Sequence, residues 1–163
     1  MVQNPTFSHV IVAKWFKRET VMAYFPGKQI HSIDAKGRII VPVKYRKELG
    51  ESFVVAWMGE CLNLYPVKEW ENLMYKLDEQ LPADESGIIE YFSYYSEQVD
   101  MDSQGRAMLP QDLRMKAGIE KDIISVGDVG KIHVYAKDAW EKKFGDRTMQ
   151  ETRAGAASRG VRV

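Results

Sequence analysis

Cysteine is nearly absent from this 163-residue chain: Cys61 stands alone, so no intrachain disulfide can form. Such usage fits a reducing compartment. Flanked by Leu62 and Leu64, Cys61 reads as a small buried apolar residue. Histidine is scarce too, with only His9, His31 and His133, and no two of them at helical metal-ligand spacing. No apolar run approaches the roughly 20 residues that cross a bilayer. Near the N-terminus, Val10-Ile11-Val12-Ala13 stops at Lys14, short of a secretory core. The chain also lacks net charge, with 23 basic and 23 acidic residues, so its global charge points to no partner. There is no Walker loop, dinucleotide-binding glycine fingerprint or nucleophile elbow, and the carboxylates are scattered. These absences predict a cytoplasmic protein that is not an enzyme, with no catalytic residues, no cofactor and no metal.

What the chain does have is a repetition, the feature to look for before any other. Asp34-Ala35-Lys36-Gly37-Arg38 is followed by an apolar run and Pro42. Asp102-Ser103-Gln104-Gly105-Arg106 is followed by an apolar run and Pro110. Arg46 and Arg114 stand four residues past the two prolines. Leu64-Tyr65 with Trp70 returns as Val134-Tyr135 with Trp140. A unit this short rarely buries enough surface to fold alone. Two copies sharing one core are expected, with the two Asp-x-x-Gly-Arg loops near each other.

Charge is uneven along the chain. Residues 28–47 hold Lys28, Lys36, Arg38, Lys44, Arg46 and Lys47 against Asp34 alone, a directed basic feature on an otherwise acidic body. Residues 1–21 show no sustained period and read as a flexible extension, with Met22 a plausible start. From Lys28 the pattern is that of a hairpin. Asp34 opens the turn and accepts backbone N–H bonds, Gly37 takes a positive φ, and Ile39-Ile40-Val41 supplies a β-branched strand. Pro42 starts a short helix that Gly50 ends. Strands are expected over 53–57 and 61–65, turning at Gly59 and Glu60.

Pro66 opens a second helix, whose stripe of Trp70, Leu73, Met74, Leu77 and Leu81 suits core packing. After a linker, Asp84 or Ser86 is placed to cap a helix carrying Ile88, Ile89 and Phe92, with Tyr91, Tyr94 and Tyr95 close by. Burial against the other half accounts for these aromatics, and base stacking is the alternative. The second copy repeats the first and ends in a helix with Trp140 and Phe144. From Arg153 the composition suggests a disordered basic tail.

The loops carry the chemistry. A tight glycine turn fixes the direction of the following arginine, and the aspartate can orient its guanidinium. An oriented guanidinium can grip phosphate or read guanine O6 and N7 in the major groove. Lys36 adds a mobile cation for the phosphate backbone. The same residues equally suit a turn whose arginine only pairs with its aspartate. The loop occurring twice, each time followed by strand, proline, helix and arginine, is the specific signal.

With both copies in view, the chain resembles the MraZ family of bacterial transcriptional regulators, whose two domains are similar to those of AbrB and SpoVT. The matching residues are Phe25-Pro26-Gly27-Lys28, His31 to Arg38, Val41-Pro42, Tyr45-Arg46, Leu64-Tyr65-Pro66 and Glu69-Trp70. The second copy matches at Asp102 to Arg106 and Leu109-Pro110. The resemblance implies an α+β fold, a pseudo-symmetric swapped-hairpin β-barrel of the AbrB-like kind built from two tandem repeats, with flanking helices. The expected organisation is a flexible N-terminal extension over 1–27, repeat 1 over 28–71, connecting helices over 72–96, repeat 2 over 97–140, and a helix end with basic tail over 141–163.

It further implies a nucleoid-associated, ring-like homo-oligomer that binds double-stranded DNA at G-rich direct repeats. Those repeats lie upstream of the regulator's own operon in the division and cell-wall gene cluster, and binding represses transcription. The implied DNA-binding residues are Lys36, Arg38 and Arg106, with Lys28 and Arg46 as secondary candidates. Asp34, Gly37, Asp102 and Gly105 organise the loops. Gln104 stands in the second copy where Lys36 stands in the first. The competing function is a protein-interaction module, as in swapped-hairpin antitoxins.

Overall fold

The computed structural model describes residues 22–85 and 87–163. The expectations for residues 1–21, for His9 and for a Ser86 cap lie outside the described residues. The first repeat runs β1 (Lys28–Ser32), β2 (Arg38–Ile40), α1 (Val43–Leu49), β3 (Ser52–Trp57), β4 (Leu62–Pro66) and α2 (Val67–Gln80). A 3-10 turn (Ala83–Glu85) and α3 (Gly87–Tyr94) connect to the second. That repeat runs β5 (Ser96–Asp100), β6 (Arg106–Met108), α4 (Gln111–Lys116), β7 (Asp122–Gly127), β8 (Ile132–Ala136) and α5 (Lys137–Phe144), and α6 (Met149–Ala157) follows.

Each short helix begins where the sequence places it. Pro42 precedes α1 at φ −53° and Pro110 precedes α4 at the same φ, the value that the pyrrolidine ring imposes. Gly50 ends α1 at φ 86°, and its N–H donates to the Arg46 carbonyl at 3.0 Å. Tyr45 and Leu49 are the buried residues of α1.

Strand pairing crosses between the copies. Six strands form one antiparallel sheet in the order β1-β7-β8-β4-β3-β5, and β2 with β6 forms a separate two-stranded ribbon. The expected hairpin is therefore closed only at its turn. β1 is not laddered to β2; it pairs with β7 of the second repeat, Lys28 opposite Val126 and Ser32 opposite Asp122. In return β5 of the second repeat pairs with β3 of the first, Ser52 opposite Asp100. The sheet's centre is β4 against β8, with Asn63 opposite His133. The ribbon's centre is Ile39 opposite Ala107. Both centres join equivalent halves, as a two-fold arrangement of duplicated units requires.

One core cluster draws on both repeats, including Ile39, Tyr45, Phe53, Leu62, Leu109, Ile123 and Val134. Neither half closes that core alone. The duplication also shows in the aromatics: Tyr65 meets Trp70 at 5.3 Å between ring centroids, and Tyr135 meets Trp140 at 5.3 Å.

Three expectations are corrected. The flexible extension placed over 1–27 does not include residues 22–27. Phe25 is buried edge-on against Tyr45 at 5.7 Å, and its N–H donates to the Asp128 carbonyl at 3.1 Å. Burial of such a side chain contributes about 1.5–3 kcal/mol, enough to hold a short segment. The α2 stripe is not core: no residue of α2 is fully buried, and only Trp70 and Leu73 join the small cluster around Val54, Ala56 and Tyr65. The tail from Arg153 is not disordered over its first part, because α6 covers it. Thr148 and Glu151 form a reciprocal capping box at its start, Thr148 Oγ1 accepting from the Glu151 N–H and the Glu151 side chain accepting from the Thr148 N–H.

Candidate nucleic-acid interface

The two loops are built alike in their backbone and Nε bonds. Asp34 Oδ1 accepts the backbone N–H of Lys36 and of Arg38, each at 2.9 Å. Asp34 Oδ2 accepts Arg38 Nε at 2.7 Å and lies 2.7 Å from Nη2. Asp102 Oδ1 accepts the N–H of Gln104 and of Arg106, each at 2.9 Å, and its Oδ2 accepts Arg106 Nε at 2.8 Å. Gly37 and Gly105 turn at φ 79° and 80°, and each donates its N–H to the carbonyl of its loop's aspartate at 2.9 Å. Backbone donors, that of Arg38 foremost, hold the Asp34 carboxyl below its ordinary pKa. The Arg106 N–H does the same for Asp102.

Sequence reasoning left two uses open for the arginines, pairing and reading, and the geometry accommodates both. Each aspartate grips the Nε side of its guanidinium. Among the described residues, Nη1 of Arg38 and both Nη atoms of Arg106 make no hydrogen bond. Ile39 and Ala107 point into the core, so the alternating neighbours Arg38, Ile40, Arg106 and Met108 share the outward face of the ribbon. Arg38 stands opposite Met108 and Arg106 opposite Ile40. The two arginines are thus diagonal neighbours, a relation that sets Cα atoms about 7–8 Å apart in an antiparallel ladder. Their side chains are 25% and 34% exposed, partly packed and partly open to a partner. Ile40 and Met108 add exposed apolar surface between them.

The remaining sequence candidates separate. Lys36 is exposed at the tip of the first loop, and Gln104 takes the same place in the second. Lys28 lies at the end of β1 away from the loop, opposite Val126, and its carbonyl accepts Lys44 Nζ at 2.8 Å. Arg46 turns inward, donating Nε to the Val41 carbonyl at 2.9 Å. The structure thus brings Asp34, Lys36, Gly37 and Arg38 together with Asp102, Gly105 and Arg106, and leaves Lys28 apart.

Sequence reasoning missed a half-buried polar network at the sheet's centre. His133 meets Asn63 Oδ1 at 2.7 Å through Nδ1 and Asp128 Oδ2 at 2.9 Å through Nε2. Cys61 donates to Asn63 Oδ1 at 3.4 Å, and burial pushes its thiol pKa up, which marks a structural thiol and not a nucleophile. Among the described residues no group of three or more His, Cys, Asp or Glu side chains could hold a metal. No helix there is long and apolar enough to cross a membrane.

The family model described as "MraZ protein, putative antitoxin-like" matches residues 24–87 and 95–161, one Asp-x-x-Gly-Arg loop in each stretch. The chain belongs to the MraZ family. The transcriptional regulator MraZ of Acetivibrio thermocellus is 40% identical over 129 residues, covering 77% of this chain and 90% of that protein. The transcriptional regulator MraZ of Lachnoclostridium phytofermentans is 42% identical over 125 residues, covering 75% and 88%. That of Clostridium tetani is 39% identical over 122 residues, covering 72% and 85%. These MraZ relatives are named as regulators and not as enzymes. Both MraZ matches extend beyond the loops into the helices, so the likeness covers the crossed sheet as well as the ribbon.

Proposed function

We propose that this chain is a sequence-specific DNA-binding transcriptional regulator. It acts as a repressor at G-rich direct repeats upstream of its own operon in the division and cell-wall gene cluster. The observation that carries the reading is the shared outward face of the β2–β6 ribbon, where two loops of like build hold Arg38 and Arg106. Arginine with its Nε side fixed and distal N–H groups still unbonded presents donors that guanine O6 and N7 can accept. Lys36 is placed to neutralise phosphate. The names of the relatives support the same reading. We also read the exchange of β1 and β5 between repeats as the AbrB-like swapped hairpin, its barrel formed by the sheet together with the ribbon.

A ring-like homo-oligomer would repeat the ribbon face many times and overcome the acidity of the body through linked weak contacts. The half-buried α2 stripe and the exposed Tyr75, Tyr91 and Tyr94 offer apolar surface for contact between copies. The same apolar side chains support the second reading, an interaction module that caps another protein.

Fluorescence anisotropy with duplex DNA from upstream of the chain's own gene separates the two. The regulator binds in a salt-sensitive manner, and Arg38→Ala lowers specific affinity at least about tenfold, the scale of one lost bidentate base contact. Circular dichroism and oligomer size stay unchanged. Unaltered affinity in Arg38→Ala overturns the assignment. No salt-sensitive binding by the parent protein, together with a co-purifying protein, favours the module.

A further inference from the structure

Each loop is held by an arginine from the other repeat. Arg46 follows α1's proline and folds back so that Nε donates to the Val41 carbonyl at 2.9 Å. Its guanidinium then lies flat on Gly105, and a Cβ added there would collide with Cζ, Nη2 and Nε. Arg114 makes the mirror arrangement. Its Nε donates to the Leu109 carbonyl at 3.0 Å, and a Cβ on Gly37 would lie 2.6 Å from Nη2 and 2.7 Å from Cζ. The backbone repeats the crossing: Val41 N–H donates to the Gly105 carbonyl at 2.8 Å, and Leu109 N–H to the Gly37 carbonyl at 3.0 Å. Each loop glycine is therefore gripped from two sides by a single segment of the opposite repeat.

We infer that Arg46 and Arg114 are cross-repeat positioning residues that fix the two loops in one relation. Arg114 acts on the loop of Arg38, and Arg46 on the loop of Arg106. Their value for DNA rests on the function proposed above; the bracing itself does not. The glycines accordingly serve twice. Their positive φ makes the turn, and their missing side chain admits a planar guanidinium. Lysine in place of either arginine keeps the charge but has neither the flat face nor the Nε donor. Arg46 thus joins the loop-organising set and leaves the secondary DNA-contact candidates.

The test is amide hydrogen exchange by nuclear magnetic resonance on the full chain without DNA. In Arg114→Ala, the Gly37 and Arg38 amides exchange about tenfold faster, while those of Gly105 and Arg106 stay as in the parent. Arg46→Ala shows the reverse pattern. Arg114→Lys and Arg46→Lys give the same crossed pattern, and carry the test if an alanine variant does not fold. Acceleration confined to the arginine's own repeat, equal acceleration of both loops, or protection restored by lysine overturns the proposal. Binding to upstream DNA is then measured for Arg38→Ala, Arg114→Ala and the double variant, which is expected to lose no more than Arg38→Ala alone. A crossed exchange pattern without any DNA binding sinks the functional reading and keeps the bracing. Loss of binding in Arg38→Ala without the crossed pattern does the opposite.

Discussion

Asp34 and Asp102 each spend both carboxylate oxygens inside a five-residue loop, one on backbone N–H groups and one on the arginine. The ionised form is the one these donors favour, so folding lowers both pKa values. A depressed carboxyl contributes above its unfolded pKa and loses that contribution as pH falls through the lower folded value. The side chains are partly open to solvent, so the effect is local and not a large share of global stability. The Gly37 and Gly105 amide resonances are therefore expected to hold through the ordinary aspartate range and shift only at lower pH. A midpoint at or above 3.8, the unperturbed aspartate value, would contradict this. In each loop only the aspartate takes over backbone donors, so the twin spacing of Asp, Gly and Arg made the turn legible. It did not reveal which arginine rests on which glycine, because that contact joins residues far apart in the chain.

At the scale of elements, Gly127 at the end of β7 is the glycine with least room for a side chain among the described residues. Its backbone lies directly against the Phe25 carbonyl, and a Cβ would also come 2.8 Å from the Phe25 Cβ. The Gly127 N–H donates to the Gly27 carbonyl at 2.8 Å, which seals residues 22–27 to the body. Gly127→Ala is expected to cost about 2 kcal/mol in urea unfolding, the usual scale for an overpacked site, and to make this segment sensitive to limited proteolysis. Unchanged stability with an intact segment would refute the packing account. Element identity was largely legible: a proline before each short helix and a β-branched run for β2 located them. Partners were not. The pattern of β1 marks a strand but does not say that Val126 and Ile124 face it. Only the family resemblance implied the exchange. Thr148 and Glu151 show a different lapse, since a helix-start signal stands just before the stretch from Arg153 whose Ala, Gly and Arg content suggests disorder.

At the scale of the whole molecule, duplication presents the loop motif twice on one ribbon face, as the proposed two-point reader requires. β1 and β5 form the edges of the sheet and each ladders to the other repeat, so the halves are bound to one another before any further copy joins. The crossed Gly carbonyl bonds tie the ribbon into the same frame. Under the proposed function, two arginines on diagonal positions of one ribbon face would present two guanidinium groups to one groove, and repeated copies would suit repeated operator elements. The most direct measurement is dimethyl sulfate interference on the upstream duplex, because methylation blocks guanine N7. The account predicts that methylating guanines within the direct repeats abolishes binding of the parent protein. Binding that is indifferent to guanine N7 methylation would contradict it.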